Sequence, residues 1–238
     1  MPRVSSGLFE HQMPHFYLLS SRKLIIRAFS LRASGSSEGL LNDLSSIVKS
    51  VPRPDRSRAA LIETAGTLFR RQGYAATGMN QILDEAGVNA GSLYHHFPGG
   101  KQELAAAVVE FAGAEIETVL RAALAQDVPV TAVVDRWVDV LAAGLAADCR
   151  DGCPVEPIAT ESVHASELVR RAAAGAFGSW CAAISERLRA DGWDRERADE
   201  TALAVISVIE GALVLSRTSG NAAALKSAGT AVRAVLRR

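Results

Sequence analysis

Cysteine is scarce in this 238-residue chain, at Cys149, Cys153 and Cys181 only. An odd, thin set in a chain this long excludes a disulfide-stapled scaffold. Aromatic residues make up 5%, and strands draw on them heavily. Net charge is zero, with 26 basic and 26 acidic side chains. No apolar run approaches the roughly 20 residues of a membrane span. Nor does the start read as a secretory signal. Met1-Pro2-Arg3 is followed by Glu10 and His11 before any apolar run, and Arg22, Lys23 and Arg27 break the cluster after Phe16. These absences predict a cytoplasmic protein with no membrane partner.

The zero net charge hides a gradient. Residues 1–52 carry 6 basic and 3 acidic groups, residues 53–101 carry 6 and 4, and residues 102–238 carry 14 and 19. The basic end permits a polyanion partner without demanding one. Alanine, the best helix former, is abundant, and no strand-period run of useful length occurs. Hydrophobic content of 48% is enough for a sizeable core. The expected fold class is therefore all-α.

Residues 1–52 differ from the rest. Short apolar clusters alternate with the run Ala33-Ser34-Gly35-Ser36-Ser37-Glu38-Gly39, which reads as a disordered or partly helical extension. A basic arm or membrane-surface helix around Arg22–Leu31 is the sharper alternative. Two prolines in Val51-Pro52-Arg53-Pro54 discourage helix there. Helical spacing begins at Arg56, and Gly73 is a natural stop. Met79 to Ala86 and Ala90 to His96 form two short helices around the turn Gly87-Val88-Asn89. Pro98-Gly99-Gly100 ends the second, and a long helix starts at Lys101. Further helices are predicted from Pro129, Ser166, Asp194 and Ala222. The domains are expected at 53–102 and 103–238.

Two short helices joined by a glycine turn behind a longer one form a helix-turn-helix. Leu93 and Phe97 point inwards, leaving Ala90, Gly91, Ser92, Tyr94 and His95 outward. A seven-residue helix of about 10 Å buries little, but it fits a DNA major groove, and small residues permit close approach. Adjacent His95 and His96 point about 100° apart, unlike a chelating i, i+4 pair, so no metal site is expected. No cofactor is expected either.

The run from Arg58 to Leu104 contains LF-x-x-x-GY-x-x-T, AGV-x-x-GSLYHHF and Lys101. It resembles the N-terminal domain of the tetracycline-repressor (TetR) family. SLYHHFPGGK and Asp151-Gly152-Cys153-Pro154-Val155 resemble the LmrA/YxaF branch. The resemblance implies a DNA face of Thr77, Gln81, Asn89, Ala90, Gly91, Ser92, Tyr94, His95 and Lys101. Thr77 would cap its helix and bond a phosphate, Tyr94 would reach the backbone or a base edge, and Lys101 would hold a phosphate. Gln81, Ser92 and His95 would meet groove edges. Ala90 departs from the family, which often carries lysine there, so weaker non-specific binding and a shallower salt slope are expected.

Bundle helices enclose ligand cavities. Phe111, Glu115, Trp137, Leu141, Glu161, His164, Phe177 and Trp180 are the pocket candidates. The stretch TALAVISVI, apolar nearly all round, and the last helix predict a two-fold four-helix interface through Val205, Ile206, Ile209, Leu213, Leu225 and Val232. The function expected is a homodimeric repressor that binds double-stranded operator DNA and is released by a small apolar effector. It is not expected to be an enzyme. The alternatives are a thiol-redox-sensing regulator using Cys149 and Cys153, or a cysteine enzyme using Cys153 and His164.

Overall fold

The computed structural model describes residues 53–237 except 151 and 163. The N-terminal extension and its Arg22–Leu31 alternative lie outside the described residues. Among the described residues the structure is helical, with nine helices and no strand. Among these residues no helix is long and apolar enough to cross a membrane.

Helix α1 spans Arg53–Gln72. It starts before the predicted Arg56 because Pro54 falls in the first turn, where its missing N–H has no helical partner to lose. Leu61, Ala65, Leu68 and Phe69 form its buried stripe. Gly73, at φ 90°, ends it in a conformation that L side chains rarely adopt. Helix α2 is Met79–Ala86 and helix α3 is Ala90–His96. Between them Gly87 sits at φ 64°, and the Val88 N–H donates to Leu83 O at 3.0 Å. This left-handed cap satisfies carbonyls the helix would otherwise orphan. Ile82, Leu93 and Phe97 close the small core against α1.

Helix α4, Lys101–Leu124, runs 24 residues, about 36 Å at 1.5 Å each. Its first turns belong to the N-terminal helical core and its last to the C-terminal bundle. Helices α5 (Val130–Ala147), α6 (Glu156–Ser162), α7 (Glu167–Ala190), α8 (Arg195–Ser219) and α9 (Ala223–Val235) complete that bundle. Ser166 and Asp194 cap α7 and α8 through side-chain oxygens.

The main seam joins α4 and α7. A Cβ on Gly113 would lie 2.6 Å from the Ala176 Cβ, so the two backbones approach as closely as glycine permits. One turn further along α7, Trp180 Nε1 donates to the Gly113 carbonyl at 3.0 Å. Below the seam, Arg187 donates to the carbonyls of Leu124, Gln126 and Val128. That one guanidinium satisfies the carboxyl end of α4 and fixes the turn into α5.

Candidate nucleic-acid interface and internal cavity

The helix-turn-helix presents one face of α3. Leu93 is fully buried and Phe97 nearly so, while Ala90, Gly91, Tyr94 and His95 are exposed and Ser92 is half-buried. Tyr94 is 56% exposed, high for an aromatic side chain. The His96 ring meets His95 edge-on at 5.1 Å and lies tilted to Phe97 at 6.4 Å between centroids. Arg58 lies 5.3 Å from the Phe97 ring centroid, which brings an α1 cation beside α3. Spacing alone did not single out Arg58, because the contact crosses from one helix to another.

Several expected contact residues already have partners. Thr77 does not cap α2. The cap residue is Gly78, and Thr77 is buried, with its hydroxyl donating to Gly73 O at 2.7 Å and accepting from Gln72 Nε2 at 3.2 Å. That hydroxyl locks the turn before α2, and its one proton is not available to a phosphate. Asn89 caps α3, its Oδ1 accepting from the Ser92 N–H at 2.8 Å. Gln81 is half-buried, hydrogen-bonded between Gln72 and Glu85. Lys101 Nζ donates to Tyr74 O at 2.6 Å and sits over the Tyr74 ring. Burial lowers its pKa, and the charge of Glu161 partly offsets this. Lys101 therefore ties α4 to the turn after α1, with two ammonium protons left for an outside acceptor.

The bundle encloses an apolar cavity of about 90 Å³ between α4, α5, α7 and α8. Of the pocket candidates, Trp137, Leu141 and Trp180 line it. Phe111, Glu115, Glu161, His164 and Phe177 do not. Phe111 is exposed beside α1, in a separate small groove. Phe177 packs edge-on behind Trp180, with ring centroids 5.2 Å apart. His164 is exposed. Glu161 instead accepts the Ala75 N–H at 2.6 Å, bracing the turn that leads into α2.

The interface expectation is also corrected. Val205, Ile206, Ile209 and Leu213 face inwards and line the cavity. Leu225 and Val232 are buried within the subunit. The apolar surplus of α8 lies on its other side, where Leu203, Val208, Val214 and Leu215 are exposed. With Ala204, Ser207, Gly211 and Thr218 they fall within about 140° of the helix circumference at 100° per residue. Apolar residues cover both sides of this segment, and periodicity could not say which one packs inside.

Sequence reasoning missed Glu210, the one acid among the described residues that line the cavity. The signal was present as a lone carboxyl within TALAVISVIEGALVL. Burial raises its pKa to about 7. A hydrogen bond from Cys153 works against that rise, and the nearby Glu156 charge adds to it. Its Oε2 is buried without a hydrogen-bond partner. Cys153 is buried too, and its thiol is pushed well above the usual range. A thiol held protonated in this way is a poor nucleophile and a poor sensor, which weighs against the redox and cysteine-enzyme readings. Among the described residues, no group of three or more His, Cys, Asp or Glu is placed to hold a metal.

Three links join the cavity to the helix-turn-helix unit. Cys153 Sγ accepts the N–H groups of Val155 and Glu156 at the start of α6, at 3.4 Å each, and Glu161 at the far end of α6 holds Ala75. Asp148 pairs with Arg71 of α1 at 3.2 Å and with Arg150 at 3.0 Å, which lowers its pKa, the Arg150 hydrogen bond foremost. Arg217 of α8 donates to the Arg70 carbonyl at 3.2 Å.

Comparison with known proteins accords with this geometry. Residues 61–108 match the family of bacterial regulatory proteins, tetR family, and residues 129–231 match the LmrA/YxaF-like transcriptional regulator C-terminal domain. The chain is 34% identical to the regulator YxaF of Bacillus subtilis over 68% of its own length and 86% of that protein's. It is also 34% identical to the regulator LmrA of B. subtilis, over 76% and 97%. The fold matches a TetR transcriptional regulator from Legionella pneumophila at TM-score 0.67 and 20% identity, covering 75% of this chain and 96% of that one. The chain belongs to the TetR family of helix-turn-helix, DNA-binding transcriptional regulators, with an LmrA/YxaF-like C-terminal domain.

Proposed function

We propose that this regulator is a homodimeric repressor, released from a palindromic operator when a small, largely apolar molecule enters the bundle cavity. The observation that carries this reading is α6, with one end capped by a cavity-wall residue, Cys153, and the other braced on the turn before α2 through Glu161. Two-fold pairing through the outward face of α8 would present two α3 helices to successive major-groove half-sites.

The cavity is smaller than the ~150 Å³ that holds benzene in an engineered protein. A larger guest must move its walls, and those walls belong to α4, α8 and the segment capping α6. Shifting them changes the spacing of the paired α3 helices, so operator affinity falls by the differential affinity of the guest for the two arrangements.

The test is selection of genomic fragments by the purified full chain, followed by transcription from the selected site with and without protein. A palindromic site whose transcription falls supports the proposal. No enrichment over random DNA refutes it, and activation in place of repression refutes its direction.

A further inference from the structure

The cavity is apolar except at one end. Among its described lining residues the titratable groups are Glu210 and Cys153, and none is basic. Glu210 stands on the flank of α8, between the buried stripe and the exposed face. One carboxyl oxygen is out of solvent and has no hydrogen-bond partner. The other polar contact to the carboxyl is the weak S–H of Cys153. The charge that acts on Glu210 from the neighbouring α6 is a second acid, Glu156. This end of the cavity is therefore electronegative and under-hydrogen-bonded.

Such an arrangement discriminates among guests by elementary electrostatics. An anionic guest meets two acids. A neutral alcohol supplies one hydrogen bond but no charge, so the carboxyl keeps its proton. A protonated amine supplies both a donor and the missing charge, in surroundings where each counts for more than in water. A guest with a short apolar body and one ammonium end matches the whole lining, with the body against Trp137, Trp180 and Ile209 and the nitrogen at Glu210.

We propose that the effector class of this cavity is an apolar molecule bearing a single protonated amine, with Glu210 as its ion-pair partner. The proposal rests on the effector reading above. On binding, a proton held by Glu210 leaves for solvent, the amine keeps its own, and a carboxylate–ammonium pair forms. Exchange of that proton is independently measurable.

The experiment uses the full-length protein and three probes of one shape: 4-phenylbutylamine, 4-phenylbutanol and 4-phenylbutyrate. Binding is read by tryptophan fluorescence, since Trp137 and Trp180 line the cavity. The amine is expected to bind at least tenfold more tightly than the alcohol, and the carboxylate most weakly. In Glu210→Gln the amine and the alcohol should become equal to within about twofold. Calorimetry of the wild-type protein at pH 6, in two buffers of different ionisation enthalpy, should show proton release with the amine and none with the alcohol. This keeps the test open if the variant fails to fold. Equal affinities of the amine and the alcohol in the wild type, an amine preference that survives in Glu210→Gln, or no proton release would each overturn the proposal. Operator binding without ligand is measured alongside. Its absence sinks the regulator reading, whereas operator binding without an amine preference sinks this proposal alone.

Discussion

Replacing Glu210 with glutamine should remove most of a pH-dependent loss of stability. Burial raises the Glu210 pKa from 4.5 to about 7. Between those values the native state holds a proton that the unfolded chain has given up. Stability therefore falls as pH rises through the window, and below it the penalty is absent. The gap of roughly 2.5 pH units at 1.36 kcal/mol per unit gives about 3 kcal/mol in full, of which about 2.5 kcal/mol falls between pH 5 and pH 8. For a chain of this size that is about 5–10 °C in Tm. The groups acting on Glu210 are Cys153, a proton donor here, and Glu156, whose charge strengthens the effect. The assay is thermal unfolding of wild type and Glu210→Gln at pH 5 and pH 8, at one fixed protein concentration because the proposed dimer would make Tm depend on it. The variant should close on or overtake the wild type as pH rises, by that difference in Tm. Curves that keep the same separation at both pH values would refute the reasoning, because glutamine cannot titrate.

Four further outcomes are expected. Ala90→Lys adds one phosphate-binding charge per subunit, so the slope of log affinity against log salt should steepen by about 0.9 for each contact made, read by fluorescence anisotropy on random duplex DNA. Leu215→Glu together with Val208→Glu should convert a dimer to a monomer in sedimentation while leaving the far-ultraviolet spectrum unchanged, since both side chains are exposed. Gly113→Val forces α4 and α7 apart where a Cβ already meets Ala176 at 2.6 Å, and overpacking of this kind costs about 1–3 kcal/mol in urea unfolding. Asn89→Ala removes the α3 cap and should cost about 1 kcal/mol, with a larger loss of operator affinity than Asn89→Asp, which keeps the acceptor.

The helices were legible because their signals are local. Gly73, Gly87 and Gly220 all take positive φ at helix ends, and Ala90–His96 matches the predicted helix. The inward Leu93 and Phe97 were legible for the same reason, since a helical period assigns faces once one residue is known to be inside. Residues whose role depends on a distant partner were not legible. Lys101 reaches Tyr74, Glu161 reaches Ala75, and Arg217 reaches the Arg70 carbonyl. Each of these contacts crosses between elements that periodicity treats one at a time. The cavity shows the same limit. Trp137 and Trp180 line it and Phe177 backs it, although all three have the same composition signal. The α8 helix inverts for a related reason. Its segment is apolar on both sides, so the pattern carries two solutions, and only packing against α7 and α9 selects one.

The α8 helix has its cavity wall and its exposed apolar face on opposite sides, one helix diameter (about 10 Å) apart. Under the proposed function, residues that select a guest and residues that select a mate are neighbours in sequence, alternating every one or two positions. A lineage adapting to a new chemical signal has little room to adjust one set without disturbing the other. Descendants with new signals should therefore carry paired substitutions on α8, one on each side, and hybrid subunits between such descendants should assemble poorly.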